Sequence, residues 1–485
     1  MSITSPSVPP SPPLAVVSPP DRIRISTPRL MQAGLALLVV SIVLFWSVGA
    51  IVISGARQRV QTIGHDTAPS VVAAQQIRAH LANLDASAAN AALTRGQAQA
   101  QAWKDYAAEQ AALSDHLVSA AQNITFGDAE RKPILAIATG IQKYADLIGR
   151  ARAILEMADP QQATAPDGAL ALIGSANVML NSELLPAAIA LNDANESALN
   201  ATWAGCKDAL GWQTIGFVAA ALPGLVLLLL LQFVVAGRTN RIINPAMLAA
   251  TVVMAGAVLF AAADLGSSAA ALTSAKQDAF DSIGATWKSR ATAYSANADE
   301  SYFLLLPARK QSYAAAFQNK VLVLVDKEFL TKPSRQRYLD QRVVPFQRHD
   351  CIKDKEYAFG GLFGAELLNV TFGGECAAAA NSYRTLADYL DIDARIRELD
   401  ALGQRDAAIA LNVGVKPGDS NFAFALFDKA LGKIIDINQS AFEASIAEAE
   451  RGLAPLPWII AIGGALSVLL AFLGLRPRLN EYHSG

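Results

Sequence analysis

The sequence predicts an all-α membrane protein, with four transmembrane helices and two extracytoplasmic up-down helical bundles in a tandem repeat. Three observations predict it. Four runs, 30–53, 210–237, 242–263 and 456–475, contain no charged residue, and about 20 apolar residues of helix cross a hydrocarbon layer of roughly 30 Å. The long segments between them place apolar residues every three to four positions, the period of a helix face. Strand-like alternation is nearly absent.

Composition agrees. The chain has 485 residues, 52% hydrophobic and 17% charged, with a positive mean hydropathy. That is too apolar for an ordinary soluble enzyme and too charged for a chain made wholly of spans. With a net charge of −2 and no basic stripe interleaved with aromatics, nucleic acid is set aside as a partner.

In order, 1–29 is a Pro- and Ser-rich tail ("SPSVPPSPP") that cannot bury a core and reads as disordered. The first span, 30–53, is too long and too far from the start for a cleaved signal peptide and reads as a retained anchor. Bundle 1 occupies 54–209; its helices show stripes such as Ile77, Leu81, Leu84, Ala88, Ala91 and Ile137, Ile141, Tyr144, Ile148, Ala151, Leu155. Spans 210–237 and 242–263 flank a basic turn at 238–241. Bundle 2, 264–455, repeats the habit at Tyr389, Ile392, Ile396, Leu399 and at Phe424, Phe427, Leu431, Ile434. Breakers such as "TFGDAERKP", "MADPQQATAPDG" and "GVKPGDSN" divide each segment into helices of roughly 25 to 35 residues. In the last of these, Ser420 or Asn421 is the expected N-cap. The fourth span is 456–475, and 476–485 is a short tail.

Lys and Arg beside the spans set the orientation. Arg22, Arg24 and Arg29, then Arg238 and Arg241, then Arg476 and Arg478 mark one side, which also carries the short loops. Both termini are therefore expected in the cytoplasm of a plasma-membrane protein, with Arg238, Arg241, Arg476 and Arg478 as anchor or partner contacts. Only about ten residues follow the fourth span, so an output domain is expected on another polypeptide.

The halves read as copies. "LDASAANAAL" after the first span and "SANADESYFLLL" after the third each set an acid, Asp85 or Asp299, among small residues. Asp85 with Asn90, and Asp299 with Glu300 and Tyr302, are candidate ligand or partner contacts; the competing reading is a set of polar residues that hydrogen-bond between helices. Cys351 and Cys376 flank a Gly-rich insertion and are disulfide candidates in an oxidising compartment. No catalytic constellation, cofactor motif or metal-ligand spacing emerges: the five histidines never stand at i, i+4, and no phosphate loop or nucleophile elbow is present. A non-enzymatic protein is expected.

The stretches "LDASAANAALTRG", "NSELLPAAIAL", "SANADESYFLLLPARKQSYAAAF", "PGDSNFAFALFDKAL" and "GLRPRLNEY" resemble actinobacterial four-span membrane proteins with tandem extracellular four-helix bundles, the GlnX-like sensor/couplers. The architecture also resembles the four-helix-bundle sensor modules of chemoreceptors. The resemblance implies an amino-acid-related sensing role, exercised through an extracytoplasmic binding protein or small ligand and a cytoplasmic signalling protein such as a protein kinase. The bilayer is then the remaining partner and oligomers are compatible. The Cys-flanked insertion departs from the pattern. The alternative is a structural scaffold for envelope proteins that passes no signal.

Overall fold

A computed structural model describes residues 27–125, 127–159, 165–239, 244–352 and 359–481. Helix is the only regular structure among them. The first half runs α1 (Thr27–Gln61), a π-helical turn Thr62–Thr67, α2 (Ala68–Leu93), α3 (Gly96–Gln122), α4 (Asp128–Met157), α5 (Asp167–Met179), a π-turn Leu180–Leu184 and α6 (Leu185–Thr239). The second half opens in the same way, with α7 (Pro245–Thr273), a π-turn Ser274–Phe280 and α8 (Asp281–Leu305).

Its second rod departs from the first half's. Where α3 runs for 27 residues, the second half has α9 (Lys310–Leu324), α10 (Lys332–Tyr338), a π-turn Leu339–Val343, α11 (Val344–Arg348) and α12 (Gly361–Asn369). Pro333 stands at the start of α10, where a missing backbone N–H costs no helical bond. This insertion is tied down by a disulfide between Cys351 and Cys376, with Cα atoms 5.7 Å apart. Then come α13 (Glu375–Ala401), α14 (Arg405–Val413), α15 (Ser420–Leu453) and α16 (Leu456–Glu481). The Pro-rich tail up to residue 26, the turn at 240–243 with Arg241, and residues 482–485 lie outside the described residues.

The chain divides into two compact units, 1–48 with 219–259 and 460–485, and 49–218 with 260–459. The first unit holds most of the apolar runs. Four helices are long and apolar enough to cross a membrane, which marks a multi-pass membrane protein. Without a hydrophobic drive between spans, small residues and buried polar groups must hold them. A Cβ on Gly463 would lie 2.8 Å from Ala257 Cβ, and one on Gly464 2.9 Å from Ile42. Gln232 Nε2 donates to Thr251 Oγ1 at 2.7 Å, Asn244 Nδ2 to the Gly474 carbonyl at 2.8 Å, and Ser467 Oγ to the Ala250 carbonyl at 3.2 Å.

In the second unit the two halves share a core, which takes in Tyr302, Leu304, Tyr313, Ile396 and Leu399 from the second half beside Ile77, Leu84, Tyr144 and Ile173. The reason is α2 and α8, which pack on each other and bury 18 of 26 and 18 of 25 residues. Their small side chains let neighbours close in on nearly every face, so each is a central helix rather than a one-stripe surface helix. The second core, with Phe329, Tyr383, Phe427 and Ile434, belongs to the second half.

The junction of α15 and α16 shows how a break is satisfied. Pro455 and Pro457 cannot donate backbone bonds, which leaves late carbonyls of α15 without partners. Arg57 Nη2 donates to the carbonyls of Leu453 at 3.0 Å and Ala454 at 2.9 Å.

Candidate functional site

Two buried acids organise the second unit. Asp85 on α2 is 1% exposed. Its Oδ1 accepts from the hydroxyls of Tyr144 (α4) and Tyr302 (α8), both at 2.9 Å, and its Oδ2 from Asn177 Nδ2 (α5) at 2.7 Å. Tyr313 donates to Asn177 Oδ1 at 3.0 Å and stacks on Tyr302. Burial pushes the Asp85 carboxyl up, against the pull of its three donors. Glu300 on α8 mirrors it, accepting from Tyr389 (α13) at 2.9 Å and from Ser420 (α15) at 2.9 Å. Burial, then the Asp393 charge, raises the Glu300 carboxyl.

These contacts reassign several predicted residues. Glu300 takes a tyrosine hydroxyl as Asp85 does, while Asp299 pairs with Lys320 Nζ at 2.6 Å. Burial lifts the Asp299 carboxyl to about 6 despite that ammonium. Tyr302 is a buried donor to Asp85, and half-buried Asn90 accepts from Ser301 Oγ at 2.8 Å. Four of the five, all but Asn90, are thus buried in bonds between helices; Asn90 also lines a cleft of about 480 Å³ with Thr94, Asp105 and Lys416. Asp419, not Ser420 or Asn421, stands at the N-cap position of α15, and Ser420 donates to Glu300. Arg476 is exposed, and Arg238 and Arg478 fall in α6 and α16. Cys206 is a free buried thiol.

A second constellation went unread in the sequence. "NITFG" begins at Asn123 and "NVTFG" at Asn369. A π-turn takes one residue more per turn than the α-helix and frees a carbonyl from its usual donor. In the first half Asn123 Nδ2 donates to the Asp66 carbonyl at 3.1 Å and to Ser70 Oγ at 2.7 Å. In the second, Asn369 Nδ2 donates to the Asp278 carbonyl at 3.1 Å and to Ser282 Oγ at 2.8 Å. Each motif leads into a helix whose first-turn glutamate folds back on it: Glu130 Oε2 accepts from the Thr125 amide at 2.7 Å, and Glu375 Oε2 from the Thr371 amide at 2.7 Å. Gly127 and Gly374 supply the positive φ of 64° and 88° that turns the chain there. The five-residue repeat was the signal; its use as a π-turn latch was not legible.

Between the halves lies a crevice of about 830 Å³, bordered by both π-turns through Gly64, His65 and Phe280. Gly64 lets α15 approach: a Cβ there would lie 2.8 Å from Ile446 Cγ2. His65 Nε2 meets Glu450 at 3.0 Å across the crevice. His116 stacks on His80, whose Nδ1 meets Glu109 at 2.7 Å, and burial with the His80 charge pushes His116 down. Among the described residues no three His, Cys, Asp or Glu side chains gather as metal ligands.

Residues 59–204 match the actinobacterial sensor domain. The matched stretch includes Asp85, Asn123, Tyr144 and Asn177, and the match points to a sensory role. No curated protein and no solved structure matches the chain.

Proposed function

We propose that the chain is a non-enzymatic sensor and signal coupler of the plasma membrane. Its helical unit 49–218 with 260–459 engages a small ligand or a solute-binding protein outside the cell. Helix shifts then pass to a cytoplasmic signalling partner such as a protein kinase. The observation that carries this reading is the sensor-domain match. The length of α6, 55 residues from Leu185 to Thr239, supports the relay. Packed helices switch by shifts of an ångström or two when a ligand favours one arrangement. The basic residues beside the spans favour cytoplasmic termini, and the disulfide favours an oxidising outer compartment.

The test places reporter cysteines in the apolar unit of a Cys206→Ser chain, at Ala257 with Gly463 and at Ile42 with Gly464. Crosslinking yields in membranes are compared across added solutes and co-purifying proteins. A sensor changes the yield of at least one pair when a solute or protein binds. A bound solute or protein that leaves every yield unchanged overturns the relay and favours a scaffold.

A further inference from the structure

The cleft beside Asn90 holds a buried hydroxyl that the fold leaves unused. Ser87 on α2 lines it and is only 7% exposed. A buried helical serine commonly returns its hydroxyl to the carbonyl one turn back, as Ser70 does to Asp66, Ser289 to Ala285 and Ser467 to Gly463. Ser87 Oγ makes no such bond. It has no partner among the described residues, and it is not sealed behind other atoms. Every other serine buried to this degree among the described residues holds a hydrogen bond. Burial of an unmet hydroxyl is costly unless something in the cleft completes it.

Its neighbours define what that is. Asn90, three residues on and so on the same face of α2, gives its Oδ1 to Ser301 Oγ at 2.8 Å and keeps its amide nitrogen without a partner among the described residues. The facing walls carry Gln101 and Asp105 from α3 in the first half, and Lys416, Asp419 and Asn421 from the start of α15 in the second. Both acids already accept amide hydrogens: Asp105 Oδ1 from Gln101 Nε2 and Asp419 Oδ2 from the Lys416 backbone, each at 2.8 Å. One base against two such acids gives no strong field of one sign to hold an ion. Five lining side chains are instead neutral hydroxyls or amides.

We propose that this cleft binds a small uncharged polyhydroxylated molecule, a sugar or polyol. This rests on the sensor reading above and names its ligand class. A ligand hydroxyl both donates and accepts, so adjacent hydroxyls bridge an amide N–H and a carboxylate oxygen, the mixture these walls offer. Ala98, Ala102, Ala410 and Val413 supply apolar surface for the carbon skeleton. The volume of about 480 Å³ lies in the usual range for small-molecule sites. Because the walls come from both halves, an occupant makes contacts that depend on how the halves are arranged, which is what a sensor requires of its ligand.

The test titrates the full chain in lipid nanodiscs with glucose, sucrose and sorbitol by saturation-transfer NMR, with acetate, ethylammonium and alanine as anionic, cationic and zwitterionic controls. At least one polyol is expected to bind saturably, about tenfold or more tighter than every control. Ser87→Ala removes a hydroxyl that holds no bond in the fold, and should weaken that binding about fivefold at unchanged melting temperature. Ala98→Trp, at an exposed wall position, should abolish it. Absence of saturable polyol binding, or polyol affinity unchanged in Ser87→Ala, overturns the proposal. A charged control that binds tighter than every polyol overturns the ligand class. The sensor reading falls only with the crosslinking result.

Discussion

At the residue scale, the second unit spends its ionisable groups on burial. Glu366 on α12 is 4% exposed and stands against Glu375, with the hydroxyls of Ser282 and Thr286 nearby but no well-formed hydrogen bond to its oxygens. Burial first, and the Glu375 charge second, lift its carboxyl to about 8 from 4.5, as burial lifts Asp299 to about 6 from 3.8. Both folded values exceed the unfolded ones, so the folded chain keeps protons that the unfolded chain has released. The contribution is fully present below the unfolded values and is lost as pH rises through the folded ones. The unit should therefore lose stability between about pH 4.5 and 8, through Glu366 together with the raised Glu300. Thermal unfolding at a series of pH values checks it: Glu366→Gln should flatten the fall above pH 6 and melt higher than the parent at pH 8. An unchanged slope in the variant would remove Glu366 as its source.

At the scale of elements, the paired latches are the feature with the clearest consequence. Each asparagine supplies a donor to a π-turn carbonyl and a second bond to the serine four residues on. Removing one deletes two hydrogen bonds to part-buried acceptors, at about 1–2 kcal/mol in all. Asn123→Ala should speed hydrogen exchange over 62–70 and leave 274–282 unchanged, while Asn369→Ala should do the reverse. Exchange that rises equally in both regions, or in neither, would show that the latches do not hold their own turns. The helices themselves were readable, because the stripes through Ile137, Tyr144 and Ile148 and through Phe424, Phe427 and Leu431 are the buried faces of α4 and α15. The partners of Asp85 were not. Tyr144 lies 59 residues away and Tyr302 lies 217 away, and nothing in local spacing links a carboxylate to a phenol at such range.

At the scale of the molecule, the Ala-rich similarity of the two halves was legible and the core they share was not. A stripe of Ile77, Leu81 and Leu84 marks one face of α2, whereas Ala86, Ala88, Ala89 and Ala92 bury other faces as well. Alanine gives a weak signal, being common on both exposed and buried helix faces. The fused core has a consequence for the matched region. Residues 59–204 include only part of that core, since Tyr302, Leu304, Ile396 and Leu399 close it from the other half. A chain ending at Thr239 would expose the α8-facing side of α2 and strip Asp85 of one of its tyrosines. It should accordingly be degraded or aggregate when made alone, yet survive and co-purify when made together with a chain starting at Asn244. Limited proteolysis of membranes from single and paired expression separates the outcomes. An equally protease-resistant first half, with the melting temperature of the whole, would mean that the shared core adds no stability and that each half folds by itself.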